Sequence, residues 1–137
     1  IDIYRHLAEV LVRDGRLEDA RELIAFAARS VPEEDHYARA AHLVGEAIVA
    51  TGGGESTTAA TAFAEALRLM EEQDLVIDVG ETRIELARSL RAFGDLGGAR
   101  AELERARALF VRMEARAIVE QIDKELAELA EQADAIV

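Results

Sequence analysis

Residues 15–32 read "GRLEDARELIAFAARSVP" and residues 94–111 read "GDLGGARAELERARALFV". Each opens on Gly, carries Leu two places on, and has Ala five and twelve places on. Gly15, Ala20 and Ala27 therefore return as Gly94, Ala99 and Ala106. Glycine takes a left-handed backbone without strain, which suits the turn between two helices. The two alanines of each segment lie about two turns apart on one helix face. Small residues at such places let two helix axes approach, whereas larger ones would push them apart. Both segments thus read as the second helix of a hairpin, entered through a Gly turn and crossing its partner at alanines.

The same periodicity extends in both directions. Tyr4, Leu7, Ala8 and Leu11 form one apolar stripe of a helix that stops at Asp14-Gly15. Glu33, Glu34 and Asp35 are expected to open a third helix, their charge matching the positive end of its dipole. It carries Ala41, Val44, Gly45 and Ile48 before Gly52, Gly53 and Gly54. Ser56 or a neighbouring Thr is expected to cap the fourth helix, with Ala59, Phe63 and Ala66 as its stripe. The fifth carries Leu86, Ala87 and Leu90; Asp95 caps the sixth, which carries Ala99, Leu103, Ala106 and Phe110. A last helix starts near Ala115, with a seam of Ile118, Ile122, Leu126, Leu129 and Ala133. Setting Leu7-Ala8 over Val44-Gly45 and Leu86-Ala87 gives offsets of 37 and 79, while the fourth helix aligns with the second at 39. The glycine turn at 52–54 is therefore predicted to hold two extra residues.

Self-similarity near forty residues marks a helical repeat array. The expected fold is all-α: an α-solenoid of three antiparallel hairpins plus a C-terminal capping helix, seven helices in one domain. The repeats fall at about 1–33, 34–74 and 75–113, with the cap at 114–137. Composition agrees. The chain is 50% hydrophobic but only 4% aromatic, so its core must be built from Ala, Leu, Ile and Val. Proline occurs once, at Pro32, and the absence of Cys excludes disulfides and thiolate chemistry.

The pattern resembles the tetratricopeptide repeat. Tyr4, Leu7-Ala8, Leu11, Gly15, Ala20, Ile24, Ala27 and Pro32 match that family's motif nearly throughout. The second unit departs at Ala41 and Glu71, and the third at Arg83 and Val111. The forty-residue spacing and the stretch "ARAELERARALFVRMEARAIVEQIDKELAEL" are similar to the C-terminal arrays of bacterial signalling proteins: nucleotide-driven (STAND/LuxR-type) regulators, cyclases and kinases. The resemblance implies a protein-interaction module whose first helices line a concave groove for an extended peptide or a helix. Ile1 is not Met, so the chain is read as a piece of a longer one.

One residue on from the core stripe, a helix turns by about 100°. That face carries Arg5, Glu9 and Val12, then His42, Glu46 and Val49, then Ile84, Arg88 and Arg91, with Arg13 and Arg39 adjoining. These residues are the candidate groove. The face is mixed to mildly basic in a chain of net charge −12. Arg grips carboxylates bidentately, so an acidic peptide is the expected partner; ordinary solvated helix charge is the competing reading. Members of the family that clamp a chaperone's terminal carboxylate use Lys and Asn, whereas this chain has no Asn and only Lys124, in its last helix.

Chemistry is not expected. "AIVATGGGESTTAA" at 47–60 lacks the Lys and spacing of a phosphate loop and follows a helix rather than a strand. His6, His36 and His42 have no partner at metal-ligand spacing. Glu102, Glu104, Glu125, Glu128 and Glu131 fall opposite the apolar stripes, as solvated faces do, and Ser30, Ser56 and Ser89 have no recognisable base. No catalytic residue, metal or cofactor is therefore assigned, and the chain is not read as an enzyme. With 28 acids against 16 bases it should repel nucleic acid and anionic membranes. The longest apolar run, Leu23 to Ala28, is too short to cross a bilayer, and no secretory leader is present, so a cytoplasmic location is expected. Two further readings stay open: a ligand-sensing domain with a cavity lined by His42 and the glycine turn, and a scaffold self-associating as a homodimer through an apolar edge at Ile1, Ile3 and Tyr4.

Overall fold

The computed structural model describes residues 2–136 and is all-helical, with seven helices and no strand among the described residues. They are α1 (Asp2–Arg13), α2 (Leu17–Ala28), α3 (His36–Gly52), α4 (Ser56–Glu72), α5 (Val76–Ala92), α6 (Leu96–Arg112) and α7 (Arg116–Ile136). The chain divides into two compact units, Ile1–Leu75 and Val76–Val137. In the first, α1 packs on α2 and both pack on α3, which pairs with α4; in the second, α5 pairs with α6 and α6 packs on α7.

One backbone device recurs at the helix ends. Gly15, Gly54 and Gly94 have φ of 78°, 74° and 87°. At Gly15 the N–H donates to the Val12 carbonyl and the next N–H, of Arg16, reaches back to Leu11; the pair returns as Gly54/Glu55 to Thr51/Ala50 and Gly94/Asp95 to Arg91/Leu90. These bonds satisfy carbonyls that the last helical turn leaves open. Asp74 and Glu114 make the same pattern with φ of 55° and 57°, although both carry a side chain. The left-handed residues at 54, 74, 94 and 114 stand 20 apart, so from Gly54 onward each helix and its turn span 20 residues.

This regularity corrects the expected register of α3. Gly54 follows Gly15 by 39 residues with the same bonds, so the glycine turn holds no extra residues. The α3 counterpart of Ala8 is therefore Ala47, and both are fully buried. Gly45 mimicked the pattern for a different reason: a Cβ there would come within 2.7 Å of Ile24 Cδ1, so it is a point of close approach to α2.

The crossings are made of small residues. Ala8, Ala20, Ala47, Ala59, Ala99 and Ala106 are each 0% exposed. In the first unit Ala8, Ala20, Ile24 and Val49 form one cluster with Leu11, Val12 and Leu17 against it. In the second, Ile84, Ala87, Ala99, Leu103, Ala106, Phe110, Ile122 and Leu129 form another. Leu7, expected in the core stripe, is instead 46% exposed, because Ala8 and Leu11 occupy the inward side of α1.

Helix starts show two further differences. Asp35 and Asp95 accept the backbone N–H of Ala38 and Gly98, each at 2.9 Å. Glu33 and Glu34 therefore lie before the helix they were expected to open. At α4 the N-cap is Glu55 rather than Ser56 or a Thr, and its side chain makes no capping bond. No helix among the described residues is long and apolar enough to cross a membrane.

Candidate functional site

Four of the candidate groove residues fall into two pairs, each along its own helix. On α1, Arg5 Nη1 stands 4.0 Å from Glu9 Oε1, with both side chains largely buried. On α3, His42 Nε2 donates to Glu46 Oε1 at 2.9 Å, since a carboxylate can only accept. The His42 Nδ1 is buried without a hydrogen-bond partner. Arg13 and Arg39 are exposed, in the last turn of α1 and the first of α3. Val12 and Val49, expected on the groove face, pack in the core cluster of the first unit.

In the second unit Ile84 is buried in the core, and the two arginines turn to α7. Arg88 Nε donates to Glu125 Oε1 at 2.9 Å and its Nη1 to Glu85 Oε1 at 3.0 Å. Arg91 Nε donates to Gln132 Oε1 at 2.7 Å and stands 3.5 Å from Glu128. These arginines tie the last helix to α5, a role that periodicity on a single helix does not reveal. Glu102, read as solvated, is 9% exposed and accepts from both Arg83 and Arg105. On the surface, Arg107 forks onto Asp123 at 2.6 and 3.2 Å; the hydrogen bond to the guanidinium holds the Asp123 carboxyl below its ordinary range. Glu65 is held low in the same way by Arg68.

Arg5 and His42 do meet at one feature. A pocket of about 210 Å³ opens in the first unit between α1, α2, the loop after α2, and α3. Tyr4 and Arg5 contribute from α1, and Asp35 and His42 from the start of α3. The glycine turn at 52–54, expected to line a cavity with His42, does not reach it; Gly45 does. Nothing in the local sequence announces this pocket except Pro32, which shortens α2.

A second surface feature is apolar. Ile3, Leu7 and Val10 recur at i, i+4 and i+7 along α1 and are 66%, 46% and 47% exposed. Phe26 on α2 is also exposed, with the Arg29 guanidinium 5.6 Å from its ring centre. Ile1, part of the expected apolar edge, lies outside the described residues.

Set against known proteins, the chain matches no family model, no curated protein and no solved structure.

Proposed function

We propose that this chain is a non-catalytic binding module of the tetratricopeptide type, from the regulatory part of a bacterial signalling protein in the cytoplasm. It takes a partner peptide or helix against its first helices. The observation that carries this reading is that α1 and α3 pack together and bring Arg5 and His42 to one opening, with exposed Arg13 and Arg39 on the same two helices. Arg5 and His42 already face Glu9 and Glu46 on their own helices, so the exposed arginines Arg13 and Arg39 are the ones offered to an acidic partner. An array of acidic and basic peptides tests it. Acidic peptides should be retained by the native chain and released by Arg13→Glu with Arg39→Glu. Equal retention of both peptide classes, or no effect of the reversals, would remove the groove.

The stripe of Ile3, Leu7 and Val10 favours a second reading, self-association through α1, because exposed apolar patches tend to pair. Light scattering separates them: a dimer abolished by Leu7→Lys supports pairing, and a monomer at high concentration rejects it.

A further inference from the structure

The pocket in the first unit is a place where the repeat breaks its own rule. Helices α3 to α6 are each 17 residues long, but α2 has only 12. The last turn of α6 carries Phe110, 1% exposed, and a Cβ on Gly80 would lie 2.7 Å from its ring. Met70 holds the equivalent place on α4 and is likewise buried. By the spacing of Gly15, Gly54 and Gly94, the counterpart on the first hairpin is Val31.

Val31 cannot take that role, because α2 has already ended at Ala28. Proline disfavours helical backbone at the residue before it and offers no N–H. Ahead of Pro32 the chain accordingly tightens into three-residue turns: Arg29, Ser30 and Val31 donate to Phe26, Ala27 and Ala28. A pocket opens beside Val31, against α3.

We propose that this pocket is a binding site for one small, neutral aromatic ring. Most of its lining is apolar or without a side chain, Ile24, Ala27 and Val31 on one side and Ala38, Ala41 and Gly45 on the other. Arg5, Asp35 and His42 also reach it, and Arg5 and His42 already have Glu9 and Glu46 beside them. Its volume of about 210 Å³ exceeds the roughly 150 Å³ of an engineered apolar cavity known to stay dry and take up benzene. One aromatic ring therefore fits. The chain itself supplies the precedent for the occupant, a phenyl ring seated against a glycine of a neighbouring helix. Ring-sized ligands gain from such sites through dispersion and removal of apolar surface from water, with few polar contacts needed.

Two probes distinguish where the ring comes from: indole, a ring alone, and N-acetyl-phenylalaninamide, a ring carried on peptide backbone. Each is titrated into the full chain and followed by thermal shift and by the NMR methyl signals of Ile24 and Val31. A saturable rise in melting temperature with shifts at those methyls is expected. Ala41→Leu, which fills the pocket, should weaken binding by roughly tenfold or more. Val31→Phe should also abolish it, by supplying the missing plug from the chain. Ala108→Leu, on the exposed face of α6, should leave binding intact. Response to indole assigns the site to a free ligand; response only to the amide assigns it to a partner's aromatic side chain. Silence to both probes, or equal binding by Ala41→Leu and Val31→Phe, overturns the proposal.

Discussion

The same substitution should have opposite signs at two glycines of the second unit. Gly80 lies inside α5 and Gly97 in the first turn of α6. On backbone grounds alone, Gly→Ala in a helix stabilises by roughly 0.5–1 kcal/mol, because the unfolded chain loses conformational freedom. At Gly97 a Cβ would meet nothing within 4 Å, so about 0.5 kcal/mol of stabilisation is expected. At Gly80 a Cβ would stand 2.7 Å from both Phe110 Cε2 and Cζ, about an ångström inside ordinary carbon contact. Phe110 is 1% exposed and clustered with Leu103, Ala106 and Ile122, so its ring cannot swing aside freely. Overpacking of this kind costs about 1–3 kcal/mol, which outweighs the propensity gain and leaves Gly80→Ala destabilising by about 1 kcal/mol. Urea unfolding at a constant m-value reads both numbers. The assignment to the ring is checked by a double-mutant cycle: with Phe110→Ala in place, itself costing about 3–5 kcal/mol, Gly80→Ala should turn stabilising. Stabilisation at Gly80 matching that at Gly97, or a cost that survives truncation of Phe110, would refute the packing argument.

Four other outcomes follow from the geometry. Glu114→Gly should raise stability by roughly 1 kcal/mol, since an L-residue at φ of 57° carries the left-handed penalty that glycine lacks; urea unfolding checks it. Asp95→Ala should cost about 1 kcal/mol by orphaning the Gly98 N–H, visible as faster hydrogen exchange in the first turn of α6. Arg88→Glu with Arg91→Glu should set like charges beside Glu85, Glu125 and Glu128 and accelerate exchange along α7. Asp123 and Glu65 have lowered carboxyl pKa values, so their contribution is present above the ordinary carboxylate range and is lost as pH falls through the lowered values. An acid titration of melting temperature should therefore show Asp123→Asn flattening the low-pH decline slightly, with the effect shrinking at high salt.

The helices, the stops at Gly15, Gly54 and Gly94 and the small-residue crossings were legible because they depend on single residues, glycine where φ is positive and alanine where axes approach; the left-handed Asp74 and Glu114 carry no such mark. The register of α3 was not, since Gly45 stands next to Val44 as Ala8 stands next to Leu7, and a close-approach glycine imitates a stripe residue. Leu7 was misplaced because an apolar stripe does not say which of its edges faces inward. Arg88 and Arg91 were read as groove residues and Glu102 as solvated charge because each has a partner 19 or more positions away, on a helix whose rotation only packing sets. The pocket depends on where α2 stops. Pro32 was in plain view, yet the consequence appears only once α2 is seen to end at Ala28, short of Val31.

The claim on which the rest depends is that hairpins meet through tiny side chains at equivalent places in every repeat. Urea unfolding of Ala20→Leu, Ala59→Leu and Ala99→Leu, beside Ala25→Leu and Ala64→Leu on exposed positions, tests it most directly. The three buried sites should each lose about 1–3 kcal/mol and the two exposed sites less than about 0.5 kcal/mol. Losses of similar size at all five positions would contradict it.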